Sequence, residues 1–158
     1  MSERRRIASI TLDERTVIRR TPDIEHERRI AIYDLLEQNR FAPVGHPGGP
    51  YAVHLSLQED RLVLEVRPDA EVVELDRMQV PLVPFRRIIK DYFTVCESYY
   101  QAIKRGGLRQ IEALDMGRRG LHNEGSELLR ERLGHRVEID LETARRLFTL
   151  LCVLHIKA

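Results

Sequence analysis

Apolar and polar residues alternate in four short stretches of the chain, and a period of two predicts β-strands. The stretches are residues 8–12, 51–57, 62–66 and 73–75. Glu59-Asp60 and Pro68-Asp69 are turn-forming pairs between the last three stretches, so these three predict a meander. Strands joined by such short turns are expected to pair antiparallel.

Longer stretches carry apolar residues with helical spacing. Thr21 is a candidate N-cap and Pro22 a first helical residue for a helix that runs to about Asn39. The other helices are predicted from Pro84 to the Gly106-Gly107 pair, from Leu108 to Leu133, and from Leu141 to about Ile156. Asp140 is positioned to cap the last of these.

The order of these elements is β-α-β-β-β-α-α-α, which predicts an α+β fold in a single domain over residues 1–158. We expect an antiparallel sheet of about four strands with four helices packed mainly on one face. The last turns of the final helix, residues 147–154, are apolar nearly all round. Such a helix is either central or part of an oligomer interface, so we expect a homo-oligomer, with a dimer as the simplest case.

Residues 115–126 form the most unusual segment, because three glycines and several charged residues interrupt a predicted helix. Each glycine costs a helix about 1 kcal/mol relative to alanine, so the segment needs a compensating role. On a helical wheel Gly117 and Gly125 fall within the apolar arc, where a second backbone could approach closely. Arg118 also falls near the centre of this arc, and a buried guanidinium requires an anionic partner.

Three interpretations of this segment remain open. Arg118 could pair with a carboxylate of the protein, such as Asp115, Glu97 or Asp140, in a purely structural or interaction protein. The arginines and His122 could instead bind a partner or a small anionic ligand, a phosphate or a carboxylate. As a third possibility, His122 could act as a general acid or base on such a substrate, oriented by Glu124 or Asp115. The candidate site residues are Asp115, Arg118, Arg119, His122, Asn123, Glu124 and Arg145.

Composition and motifs exclude several classes of function. The net charge is only +1, although 23 arginines and 3 lysines make up the 26 basic residues. Nucleic-acid binding is therefore not expected, since the aromatic residues also fall on a core-facing arc rather than on a basic stripe. No nucleotide-binding glycine loop, CxxC or HExxH motif occurs, so we expect neither a cofactor nor a metal site.

Two features predict where the protein works. No apolar run reaches the roughly 20 residues of a membrane span, and the start of the chain lacks the apolar core of a signal peptide. Both cysteines, Cys96 and Cys152, fall at apolar helical positions, as expected for reduced, buried thiols. We therefore expect a cytoplasmic protein that does not associate with membranes.

Two segments resemble a known family. They are residues 113–133, which include the glycine-rich segment, and residues 139–150, Ile-Asp-Leu-Glu-Thr-Ala-Arg-Arg-Leu-Phe-Thr-Leu. Both are similar to the uncharacterised protein family numbered 0262 in the UPF series, and the similarity runs nearly the full length of the chain. The resemblance implies a short bacterial cytoplasmic protein of alphaproteobacterial type. It carries over no catalytic residue, because the family has no assigned activity.

Overall fold

The computed structural model describes residues 4–13 and 22–155. Its strands are β1 (Ile7–Leu12), β2 (Phe41–Pro43), β3 (Tyr51–Gln58), β4 (Arg61–Pro68), β5 (Asp76–Pro81) and β6 (Val137–Ile139). Its α-helices are α1 (Pro22–Glu37), α2 (Arg86–Arg105), α3 (Leu108–Leu133) and α4 (Leu141–His155). The α+β class and the predicted order of the main elements are confirmed. The predicted cap at Thr21 and the predicted helix end at Ile156 lie outside the described residues.

Four strands form the main sheet in the order β1-β3-β4-β5. The two hairpins β3-β4 and β4-β5 are antiparallel as predicted, whereas β1 pairs with β3 in parallel, so the sheet is mixed. The reason is the crossover through α1, which brings the chain back to the end of the sheet where it started. Strands β2 and β6 form a separate two-stranded antiparallel sheet that the sequence pattern did not predict.

The last strand of the meander begins later than predicted. Val73 and Leu75 lie in the connection after β4, where Val73 is 66% exposed. The backbone N–H of Leu75 donates to the carbonyl of Val66 and closes this loop, and β5 then pairs from Asp76 onward. The alternation of residues 73–75 is therefore a loop feature, and the apolar residues of β5 that face the core are Met78 and Val80.

One layer of the protein is the sheet and the other is formed by the helices. The sheet face that turns to the core carries Val53, Leu55, Leu64 and Val66, all nearly inaccessible to solvent. The opposite sheet face carries polar residues around the buried Ala52 and Val63, and it includes a hydrogen bond of 2.7 Å from the Arg77 guanidinium to Glu65.

Helix α4 is central among the helices. Residues Leu147, Phe148, Leu150 and Leu151 are at most 1% exposed. Asp140 caps its first turn, as predicted, by accepting a hydrogen bond of 2.8 Å from the backbone N–H of Thr143. The apolar character of this helix is thus explained by contacts within one protomer, and it gives no support to an oligomer interface at α4.

Candidate functional site

Helices α3 and α4 carry all seven residues that the sequence singled out. Six of them lie on α3, whose bounds agree with the prediction, and Arg145 lies on α4. The two helices pack directly on each other, and α3 also packs on α2, where Gly117 lies near Val95 and Arg118 near Tyr99. This arrangement separates the candidates into an Arg118 cluster and an Arg145 cluster.

Arg118 is held within the protein. Its Nη2 donates to Oδ1 of Asp115 at 2.6 Å, and the centre of its guanidinium lies 4.3 Å from the ring centroid of Tyr99 on α2. Burial acts to lower the pKa of Arg118, but the hydrogen bond and the charge of Asp115 outweigh it and hold the pKa above its usual value. Its buried Nε has no hydrogen-bond partner among the described residues.

Asp115 also contacts a second arginine. Arg119 approaches its Oδ2 at 3.1 Å and is 72% exposed. The hydrogen bond from Arg118, together with the charges of both arginines, lowers the pKa of Asp115. Asp115 therefore remains a carboxylate under ordinary conditions and compensates Arg118 from one helical turn away.

His122 lies in the seam between α3 and α4, and both of its ring nitrogens face hydroxyl groups. Nε2 is 2.8 Å from Oγ1 of Thr149, whose own hydroxyl donates to the carbonyl of Arg145 at 3.2 Å. Nε2 must then carry the proton and donate to Thr149. On the other side, the hydroxyl of Ser126 donates to the His122 carbonyl at 2.6 Å, and its oxygen lies 3.4 Å from Nδ1.

The surroundings of His122 keep its imidazole neutral. The ring packs edge-on against Phe148, with centroids 5.2 Å apart, and lies 5.5 Å from the ring of Tyr92. This burial, reinforced by the positive charges of Arg145, Arg146 and Arg118, lowers the pKa of His122 to about 4.

The predicted orientation of His122 by a carboxylate is not found. Asp115 is engaged with arginines, and Glu124 is exposed and forms no hydrogen bond with His122. Thr149 and Ser126 contact the ring instead. The signal for Thr149 was present in the sequence, since it is the only polar residue among the apolar residues 147–154.

Arg145 and Asn123 meet across the same seam. Nη1 of Arg145 donates to Oδ1 of Asn123, so two predicted residues from different helices are brought together. The carboxylate nearest to this guanidinium in the described part of the chain is Glu142, 3.8 Å from Nε and itself 68% exposed. The Arg145 side chain is 29% exposed, so the guanidinium has both a fixed position and access to solvent.

Gly125 leaves room for a side chain of α4, the ring of Phe148, rather than for the second backbone that was predicted. A Cβ at this position would lie closer than 3.0 Å to three ring carbons of Phe148. The close approach predicted at Gly117 is not found, because a Cβ there would make an ordinary contact of 3.7 Å with the Val95 side chain. Of the two glycines on the apolar arc, only Gly125 is required by packing.

The described residues contain neither a candidate metal-binding cluster nor a candidate membrane-spanning helix. Residues 4–13 and 22–155 contain no cluster of three histidine, cysteine, aspartate or glutamate side chains suited to a metal ion. Within the same ranges, no helix has the length and apolar character needed to cross a bilayer.

Comparison with known proteins gives a consistent result. A UPF0262 protein of Paramagnetospirillum magneticum is 55% identical over 99% of each chain. UPF0262 proteins of Azorhizobium caulinodans and Rhizobium meliloti are 56% and 57% identical, over 96% and 95% of this chain and 94% of each relative. No solved structure matches. The family model, described as an uncharacterised protein family, matches residues 4–157. The chain therefore belongs to the UPF0262 family of bacterial proteins.

Proposed function

We propose that the protein binds a small anionic ligand, with a carboxylate or phosphate group, at the seam between α3 and α4. The observation that carries this proposal is the state of Arg145. Its guanidinium is fixed by a neutral amide oxygen of Asn123 rather than by a carboxylate in hydrogen-bond contact. A guanidinium held in this way keeps donors and positive charge for an oxygen anion.

The electrostatics of the seam support the same ligand class. The positive charges of three arginines, Arg145 first among them, help to lower the pKa of His122, the neutral group at the centre of the seam. An anion bound beside Arg145 would be stabilised by the same field. Arg146 contributes less, because it lies within 4 Å of both Asp34 and Glu142.

Arg118 and Arg119 have a structural role in this proposal. Arg118 is compensated by Asp115 and stacked on Tyr99, so its charge is used to join α3 to α2. Asp115, Arg118 and Arg119 therefore form an internal cluster, whereas His122, Asn123 and Arg145 form the binding site. Glu124 belongs to neither group, because it is exposed on the far side of α3.

The geometry gives little support to an enzyme that uses His122 as acid or base. With a pKa of about 4, His122 is neutral near pH 7, so it is not protonated to act as a general acid and is only a weak general base. Ser126 is completely buried and its hydroxyl is committed to a backbone carbonyl, so it is not available as a nucleophile. Binding without catalysis is the simpler function.

A cytoplasmic location is part of the proposal. Cys96 and Cys152 are both buried free thiols, and burial raises the pKa of Cys96 to about 11. Such thiols are unreactive and are maintained in a reducing compartment.

Thermal unfolding in the presence of inorganic phosphate or citrate tests the site. At a ligand concentration about a hundredfold above its Kd, binding contributes about 2.7 kcal/mol, which raises the Tm by roughly 5–10 °C for a chain of this size. Arg145→Met is expected to abolish this shift while leaving the far-UV circular dichroism unchanged. Arg132→Met, which removes an exposed arginine of α3, is the matched control and is expected to keep the shift.

Two outcomes would contradict the proposed anion site. If no anion raises the Tm of the wild type beyond sodium chloride of equal ionic strength, the seam does not bind small anions. If Arg145→Met and Arg132→Met lose the shift equally, the binding is a non-specific effect of positive charge.

A further inference from the structure

Helix α3 presents a stripe of residues to solvent on the side opposite to its core-facing arc. The stripe recurs at intervals of four and three residues, the spacing with which helices pair. It consists of Arg109, Ala113, Met116, Gly120, Asn123 and Glu127, all exposed except the partly buried Asn123. Met116 is 75% exposed, and nothing lies within 4 Å of the position that a Cβ of Gly120 would take.

The two ends of this stripe carry opposite charge. Lys104, Arg105 and Arg109 surround the tip where α2 turns into α3, and Glu127 and Glu131 lie near the other end of α3. None of these five side chains forms an ion pair with any part of the chain that the structure describes. A helix of 26 residues is roughly 39 Å long, so the basic and acidic ends of one molecule cannot meet.

We propose that this face of α3 is the interface of a homodimer in which two α3 helices pack antiparallel about a twofold axis. The stripe is self-complementary in this orientation, because each residue before the midpoint of the stripe faces the partner's residue that lies equally far after the midpoint. Arg109 then faces the partner's Glu127, Ala113 faces the partner's Asn123, and Met116 packs over the partner's Gly120. A parallel arrangement would oppose Arg109 to a second Arg109 and Glu127 to a second Glu127.

A cavity at the acidic end fits the tip of the second copy. It has a volume of about 540 Å³, and its aliphatic lining is Val44, Val137 and Ile139. The charged lining consists of three carboxylates, Glu127, Glu131 and Glu138, and of Arg130, whose Nε donates to the carbonyl of Ile139 at 3.1 Å. Val44 is 61% exposed there. The tip carries Leu108, which is 68% exposed, next to its three cations. An aliphatic side chain flanked by positive charge is complementary to an aliphatic cavity whose lining carries three carboxylates and one guanidinium.

The interface also explains the glycine at position 120. Gly117 and Gly120 weaken α3 without any requirement from packing inside one protomer. Opposite Met116 of a second copy, an absent side chain at Gly120 lets the two helix backbones approach. This inference does not rest on the anion site, although Asn123, which holds Arg145, lies at the edge of the stripe.

Sedimentation velocity on the full chain tests the dimer. The wild type is expected to sediment at about twice the mass of the 18.5 kDa protomer. Arg109→Glu and Glu127→Arg, made separately, each oppose like charges twice per dimer, and each is expected to raise the dissociation constant about tenfold or more. The double variant Arg109→Glu with Glu127→Arg restores both pairs and is expected to return to near wild-type affinity. Arg132→Glu changes the net charge equally, lies outside the stripe and is expected to have no effect.

Cysteine cross-linking tests the orientation. Met116→Cys combined with Gly120→Cys is expected to give an oxidised covalent dimer, because these positions face each other. Ala113→Cys alone is expected to remain uncross-linked, since ten residues along the helix, about 15 Å, separate the two copies of position 113 in the antiparallel register. A monomeric wild type, a charge swap that fails to restore affinity, or efficient cross-linking through position 113 would each overturn the proposal.

Discussion

Arginine residues with the same chemistry have two different roles in this protein. Arg118 has a carboxylate within 2.6 Å and an aromatic ring beneath it, so its charge is compensated where it lies. Arg145 has a neutral amide as its hydrogen-bond partner and a carboxylate only at 3.8 Å. The number of arginines in the chain therefore says little about binding, whereas the partner of each one decides its role.

His122 is expected to destabilise the protein in acid. Its pKa is about 4 in the folded protein and near 6.5 when unfolded, so the unfolded state binds a proton first as the pH falls. The stability that His122 contributes is thus complete above pH 6.5 and is lost as the pH falls towards 4, by on the order of 2 kcal/mol. His122→Gln removes this titration while retaining hydrogen-bonding capacity towards Thr149.

Urea unfolding of the two proteins at pH 7.5, 6, 5 and 4.5 provides the measurement. The wild type is expected to lose more stability than His122→Gln over this interval, so the difference between them narrows as the pH falls. Asp115 does not interfere, because its pKa is already lowered and its ion pair is lost at more acidic pH. Parallel stability curves would show that His122 does not titrate between these values.

The packing of α3 on α4 depends on one glycine. Gly125→Ala adds a methyl group that clashes with the ring of Phe148, which is completely buried. We expect a net loss of about 1–3 kcal/mol in the free energy of unfolding, because overpacking outweighs the gain in helix propensity. The matched change Gly117→Ala makes only an ordinary contact with Val95 and is expected to stabilise by about 0.5–1 kcal/mol. Chemical denaturation checks both values, and equal effects of the two alanines would contradict this account of the seam.

Secondary structure was predictable for the elements with long periodic patterns. The bounds of α3 follow from its apolar spacing and from the glycines that flank it, Gly107 and Gly134. The parallel pairing of β1 was not predictable, because it depends on where the crossover through α1 places the chain. Strands β2 and β6 have three residues each, too few for a period of two to be recognised.

The candidate site was predictable where its contacts are local. Asp115 and Arg118 are three residues apart on one helix, and this spacing is sufficient to expect their ion pair. The contacts of Arg145 with Asn123 and of His122 with Thr149 join residues more than twenty positions apart. They arise from the crossing of α3 and α4, which no local pattern specifies.

The segment between α1 and β2 connects the sheet to the helices through hydrogen bonds. The side-chain amide of Asn39 donates to the carbonyls of Ile7 and Leu35, and its oxygen accepts a hydrogen bond of 2.7 Å from the N–H of Ile7. The next backbone N–H, that of Arg40, donates to the buried hydroxyl of Thr143 on α4 at 2.9 Å. Two neighbouring residues thus connect the first strand, the first helix and the central helix.

Asn39→Ala is therefore expected to destabilise the sheet and the helices to the same extent. Removal of the amide leaves part-buried backbone groups of Ile7 and Leu35 without their partner, at a cost of about 1–3 kcal/mol. Because we expect residues 1–158 to unfold as a single domain, amide hydrogen exchange should accelerate by the same factor in β3, β4 and α4. Asn123→Ala, which removes an amide that accepts a hydrogen bond from the Arg145 side chain and forms no hydrogen bond with the sheet in the described part of the chain, is the control and should leave the exchange of β3 and β4 unchanged. Faster exchange confined to β1 and α1 in Asn39→Ala would show that the chain unfolds in separate units. The hydrogen bonds of Asn39 would then stabilise only the elements that they contact.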